Sequence, residues 1–443
     1  VSLGTLVDST LLAGRYLRRL VLDESSRPVS LVVAADSPEA LSVTPETEAQ
    51  LRKLVREADA LFGARHFRRY VFLVALSDLV SHFGLEAHES SENRIPENSF
   101  TNPAVGMLAL AVLPHEYVHS WNGKYRRPAG LATPDFQTPM QGDLLWVYEG
   151  LTQYLGHVLA ARSGLWTTER YRDRLAHVAA YYSQQPGRLW RPLADTAVSA
   201  QLMVRASPLW RSYRRSADYY SEGALVWLEA DMLIRRETRG RRSLDDFCKV
   251  FFGGTDHDES GPPTVSPYTD AQLFDALNTV LPQDWRRFFA DRIAATNPPA
   301  PVAGITLGGW RVDFSATRNP FLLDIETHDP SGTIDLAYSL GMRLTRDGQI
   351  DDLFPGSPAD AVGLAPGMQL RAVNGRRWSA SRLREALAAA QNSATGDLAL
   401  LVENGDRFET VDLRYAGGLR EPRLERLPSG PDRLGASIAP RTR

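Results

Sequence analysis

The five residues His115-Glu116-Tyr117-Val118-His119 constrain this chain more than any other feature. A helical step of four residues turns about 400° and rises about 6 Å. Two imidazoles at that spacing therefore project from one side and can share a tetrahedral cation. Glu116 falls beside the open coordination position, where a general base for a metal-activated water stands. An ordinary helix carrying two surface histidines shows the same letters, so a third donor decides.

The stretch from Asp143 to Tyr154 offers that donor. It has helical apolar spacing, and Glu149 lies among Trp146, Val147, Tyr148 and Leu151. An unpaired carboxylate in such surroundings is costly, which favours a ligand over a solvated helix acid. Two His and one Glu leave the fourth position to water, the layout of a catalytic Zn2+ site. Pro114 loses a helical hydrogen bond, so the metal helix is expected to begin or kink near it.

Composition narrows the class. Length suggests two or three domains, and 43% hydrophobic with 23% charged residues supplies ample core. A net charge of −3 points to neither nucleic acid nor an anionic membrane surface. No apolar run approaches a membrane-spanning length. The single Cys248 excludes an intrachain disulfide framework. By itself it leaves cytoplasm and periplasm open; the expectation is a periplasmic or extracytoplasmic bacterial protein. Because the chain opens on Val1 without an initiator Met, an upstream portion with any targeting signal is expected to be missing.

Along the chain, 27–35 and 70–76 read as strands, and 45–62 as an amphipathic helix with Thr44 as N-cap. From Glu149 to about Thr296 the pattern is largely helical. Residues 253–263 read as an exposed loop and 297–301 as the start of a linker. The Pro/Arg-rich segment from Glu421 reads as a disordered tail.

Several stretches carry a resemblance. They are Val7-Asp-Ser, Leu76-Ser-Asp, Phe83-Gly-Leu-Glu86, the run His115 to Pro128, the run Trp146 to Tyr154, and Tyr220-Ser-Glu-Gly-Ala224. Together they resemble the glycyl aminopeptidase family of zinc metallopeptidases, thermolysin-like gluzincins that often carry a PDZ domain. The resemblance implies an α+β fold: a thermolysin-like domain over 1–298, with a mixed N-terminal sheet lobe and a mostly helical C-terminal lobe. Residues 1–25 would be a remnant of an N-terminal β domain. A linker at 299–334, a small β-rich PDZ domain at 335–415 and a tail at 416–443 would follow.

The same resemblance assigns further roles. Tyr220 corresponds to a tyrosine used against the tetrahedral oxyanion, with Tyr219 as rival. Gly84, Leu85 and Glu86 correspond to an edge strand lining the cleft, whose backbone pairs with the peptide and whose glutamate holds the free α-amine. Phe83 and Ala87 depart from the usual Gly and His, and His88 stands one place on. Relatives usually have Lys where this chain has Glu222. In the C-terminal region, Ser339 to Met342 fits the PDZ loop that holds a peptide carboxylate. Trp121 and the run Lys124 to Arg127 read as packing and a solvated segment before cleft residues.

Three functions compete. The first is an aminopeptidase removing small N-terminal residues, with Glu116 as base and Tyr220 on the oxyanion. An endopeptidase with the same zinc chemistry, tethering substrate through the PDZ groove, comes second. Last is a non-enzymatic PDZ-bearing protein with a vestigial site. Peptide substrates, and peptide C-termini at the PDZ groove, are the expected partners.

Overall fold

Val29–Ala35 is buried on both faces and Tyr70–Leu76 alternates buried with half-buried residues, so the two form the centre of a sheet. The computed structural model describes residues 3–135, 137–203, 209–256 and 263–442. Its first sheet has five strands: β1 (Tyr16–Asp23), β2 (Val29–Ala35), β3 (Tyr70–Leu76), β4 (Phe83–Glu86) and β5 (Ser90–Ile95). Their order is β1-β2-β3-β5-β4. The three central strands run parallel, and β1 and β4 are antiparallel edges. Helix α1 (Pro45–Phe62) covers one face and buries Leu51, Leu54, Val55, Ala58 and Leu61. Thr44 caps it by accepting from the Thr47 amide at 3.1 Å, and Gly63 ends it at φ 80°.

The chain then becomes helical: α2 (Pro103–Ala109), α3 (Val112–Val118), α4 (Leu145–Tyr148), α5 (Gly150–Ser163), α6 (Thr168–Gln184) and α7 (Asp218–Glu237). The break between α2 and α3 leaves Pro114 in the first turn of α3, where its missing N–H is not needed. Sheet and helices share one apolar core. Among the described residues no helix is long and apolar enough to cross a membrane.

At the N-terminal end β1 pairs along its length with β2, and Asp8 is tied to His88 and Lys124. Two boundary expectations need correction. The segment 299–334 is not a free linker. It contains β6 (Trp310–Ser315) and α8 (Pro320–His328), whose Phe321 and Leu322 are buried. Pro320 sits at the first helical position and Asn319 caps it, so the composition that suggested a linker is a helix start. The tail at 416–443 is ordered too. Its β13 (Glu421–Arg426) pairs with β6, where Arg423 meets Asp313 and Glu425 meets Arg311. Its α10 (Arg433–Ile438) drops Leu434 and Ile438 into the main core. Arginines that suggested disorder find carboxylates across a strand pair. Of the loop expected at 253–263, residues 257–262 lie outside the described ones.

Between β6 and β13 stands a β-rich unit with its own core, centred on Leu340, Met342, Leu370, Leu383 and Leu400. It comprises β7 (Ile334–Leu336), β8 (Met342–Leu344), β9 (Ile350–Leu353), β10 (Gln369–Val373), α9 (Ala380–Gln391), β11 (Asp397–Asn404) and β12 (Arg407–Arg414). A small apolar cluster of Ala180, Ala337, Tyr338 and Phe354 joins it to α6. Ser212 adds a hydroxyl bond of 2.6 Å to buried Asp352.

Candidate active site

The structure brings His115, His119 and Glu149 to one point. The two Nε2 atoms lie 3.2 Å apart, and Glu149 Oε2 lies 3.3 Å from each. Zinc bonds of about 2.0–2.1 Å imply donor separations of about 3.3–3.4 Å along the edges of a tetrahedron. The three measured edges match that figure. Glu149 Oε2 is buried without a hydrogen-bond partner, as a ligand atom would be. The donor set therefore fits Zn2+.

Local structure explains the convergence. His115 lies in the last turn of α3 and His119 caps its end. The His119 ring is oriented by the Asn122 carbonyl, 2.9 Å from Nδ1. The fully buried Asn122 side chain in turn donates to the Val147 carbonyl at 2.8 Å and reaches Thr152 at 3.0 Å. One residue thus ties the metal helix to the backbone beside Glu149. Glu149 itself sits between α4 and α5, at φ −98° and ψ −44°. A Cβ on Gly156 would stand 3.0 Å from His115 Cα, so α5 packs directly on the metal helix. Gly150 meets Gly223 equally closely, which brings α7 against the third ligand.

Electrostatics describe a site that demands positive charge. Burial works to raise the Glu149 pKa, yet His119 and His115 overcome it and hold the group at about 2. Burial works to lower His119, but Glu149 and Glu86 bring it up to about 10. Burial lowers His115. Glu116 is pushed well above the carboxylate range by burial, with Glu86 and Glu149 adding to it.

The other sequence-derived residues are placed as follows. Glu116 is buried beside β4: a Cβ on Gly84 would collide with its carboxylate, so only glycine lets the strand pass. Glu86 ends β4 with a carboxylate oxygen within 4.8 Å of donor atoms of Glu116 and His119. Tyr148 donates a hydrogen bond to Glu86 Oε1. Leu85 is 43% exposed on that edge strand. Burial and the nearby Glu149 carboxylate raise the pKa of the Tyr220 phenol, and its ring lies 6.0 Å from that of His115. Tyr219 is only 4% exposed and packs in the core.

Some residues serve elsewhere. His88 pairs through Nδ1 with Asp8 at 2.9 Å, which also holds Lys124 at 2.9 Å. Trp121 is fully buried, stacked on Phe62 with centroids 4.3 Å apart. Glu222 lies between Arg188 and Arg215 in a buried ionic cluster. Strand β8 has both edges taken, by β7 and β9, and the amides of Ser339, Leu340 and Gly341 all donate to the Leu336 carbonyl. The loop expected to hold a peptide carboxylate is therefore filled by the chain's own backbone.

Sequence reading missed Asn122, Tyr148 and Asp8 as site-building residues. Asn122 lies three positions past His119, and all three fall in stretches that carry the resemblance without being given a role; their contacts are tertiary.

Residues 109–226 match the family model described as M61 glycyl aminopeptidase. No curated protein sequence matches the chain. Among solved structures, an aminopeptidase N family protein from Idiomarina loihiensis superimposes with a TM-score of 0.73 at 18% identity. That match covers 96% of this chain and 71% of the other. An M1 zinc metallopeptidase from Deinococcus radiodurans gives a TM-score of 0.39 at 20% identity, over 65% of this chain and 54% of its own.

Proposed function

We propose that this chain, a zinc metallopeptidase similar to the M61 glycyl aminopeptidases, removes small residues such as Gly and Ala from peptide N-termini. One observation supports the exopeptidase reading above others: Glu86 stands beside Glu116 and His119 at the end of an edge strand. A carboxylate there is matched by a substrate ammonium, and an internal peptide segment brings no such charge. The preference for small residues rests on the family match.

In this reading His115, His119 and Glu149 hold the zinc. When bound, the ion supplies Lewis acidity, which polarises the scissile carbonyl and makes water acidic enough to ionise near neutral pH. Glu116 takes the proton from the attacking water and later delivers one to the leaving amine. A cation at the triad and an ammonium at Glu86 each draw the Glu116 pKa down from its raised value, making it a base. The Tyr220 hydroxyl donates to the oxyanion that forms on the substrate. Tyr148 fixes the Glu86 carboxylate, and the exposed backbone of β4 aligns the peptide. The β-rich C-terminal unit, which we read as PDZ-like, braces the helical lobe through Tyr338 and Phe354.

The test compares peptides with free and N-acetylated termini. Acetylation should lower kcat/KM by about 10²-fold or more, the loss of a charge-matched partner in a closed site. Equal rates would replace the aminopeptidase reading with the endopeptidase one.

A further inference from the structure

A cavity of about 550 Å³ borders the triad at His115, and neither Glu86, Glu116, His119 nor Glu149 lines it. Its inner end is formed by His115, Gln153, His157, Trp166 and Arg174. Gln153 and His157 continue the face of α5 that begins after Glu149, one and two turns on. Arg174 rises from α6, and Phe321 and Ile325 of α8 close the outer wall. His157, Trp166 and Arg174 also border a smaller space of about 20 Å³ running into the core, which places them at the deep end.

Arg174 is the unusual member. Among the described residues no carboxylate lies within ion-pair distance of its guanidinium. Its contacts are the His157 Nδ1 atom at 3.3 Å and the faces of Trp166 and Phe321, 5.8 and 5.9 Å from the ring centroids. Burial brings its pKa down to about 10, which still leaves it a cation at neutral pH. Burial keeps the adjacent His157 neutral. The one carboxylate lining the cavity among the described residues, Asp329, is held by the Ser331 amide at 2.8 Å, beside Pro330 and His328. Arg174 is half-buried at the inner end of the cavity, and a guanidinium this poorly paired there favours an anion that completes it.

The two ends of the site fix which part of a peptide enters. With the α-ammonium at Glu86 and the scissile carbonyl at the triad, the chain beyond the carbonyl continues past His115. We propose that this cavity receives the residue on the leaving-group side of the scissile bond and that Arg174 selects a carboxylate there. An aspartate or glutamate side chain, or the free C-terminus of a dipeptide, supplies that group. The assignment rests on the peptidase reading above for its orientation.

Three substrates separate the sources: Ala-Gln-Gly-amide, Ala-Glu-Gly-amide and the dipeptide Ala-Gln with a free C-terminus. With the zinc-loaded full chain, one carboxylate-bearing peptide should exceed the neutral one in kcat/KM by about tenfold, the discrimination of a charge-assisted contact. A preference for Ala-Glu-Gly-amide identifies a side-chain carboxylate, and one for Ala-Gln a terminal carboxylate. Arg174→Gln should collapse the ratio to about one, while Arg174→Lys, keeping the charge, should retain part of it. Calorimetric binding of the leaving products, Glu-Gly-amide and free Gln, each against Gln-Gly-amide, gives a readout independent of turnover: the product whose parent peptide is preferred should bind more tightly, and Arg174→Gln should abolish the difference. Thermal melts confirm that each variant folds. Hydrolysis of all three peptides at equal rates, with equal product binding, would overturn this proposal and leave the peptidase reading standing. Absence of any hydrolysis would remove the peptidase reading, and the calorimetric comparison would then decide the role of Arg174.

Discussion

The two sides of the metal triad are built by different means. On one side, His115, His119 and Asn122 come from one short stretch and Glu149 from the junction of α4 and α5, locked together by helix packing and one buried amide. On the other, the cavity takes Gln153 and His157 from α5, Arg174 from α6, and its outer wall from α8, far along the sequence. The difference separates chemistry from selectivity. Donors for a metal must sit within tenths of an ångström, so they ride on short, rigid segments. Walls for a substrate side chain tolerate looser placement and are assembled by tertiary closure.

The largest expected effect lies on the rigid side. Glu116→Gln should keep the zinc content of the wild type and lower kcat by about 10²–10⁴-fold, the range of a lost general base. Activity within about twofold of wild type would remove Glu116 from the mechanism. Next comes Tyr220→Phe, for which kcat should fall by about 10²–10³-fold with a smaller change in KM. A change confined to KM would show that the phenol binds substrate without acting on the oxyanion.

Asn122→Ala should weaken zinc by about 10–100-fold, the usual cost of losing a residue that positions a ligand. Unchanged affinity would mean that helix packing alone fixes Glu149. Proton competition gives a further handle. Zinc needs a deprotonated imidazole, and His119 is held up to about 10 by Glu149 and Glu86 against its burial. Metal binding near neutrality therefore expels a proton, so affinity should rise by about tenfold per pH unit from pH 6 to 8. A flat profile would contradict that coupling. The smallest effect belongs to the opposite side: Phe321→Ala should change zinc affinity by less than about twofold, since distant sites act independently. A large loss would erase the distinction between the two sides.

Much of the rigid side was legible in the chain. The four-residue step of the histidines, the apolar setting of Glu149, the Thr44 cap and the helix start near Pro114 all reflect local rules, and the structure places each accordingly. Tertiary contacts were not legible. Nothing near Glu86 announces that Tyr148 holds it, and nothing near Asp8 announces His88 and Lys124. The segments at 299–334 and 416–443 misled because their Pro and Arg content matches loops and tails. Their order comes from pairing β6 with β13, distant in sequence, and from two apolar side chains entering the core.

X-ray absorption at the zinc edge of the metal-reconstituted full chain tests the central claim most directly. The account predicts one zinc per chain with two imidazole nitrogens and one carboxylate oxygen at about 2.0–2.2 Å, and loss of the bound metal in Glu149→Ala. A chain that takes up no zinc, or binds it through a different donor set, would contradict it.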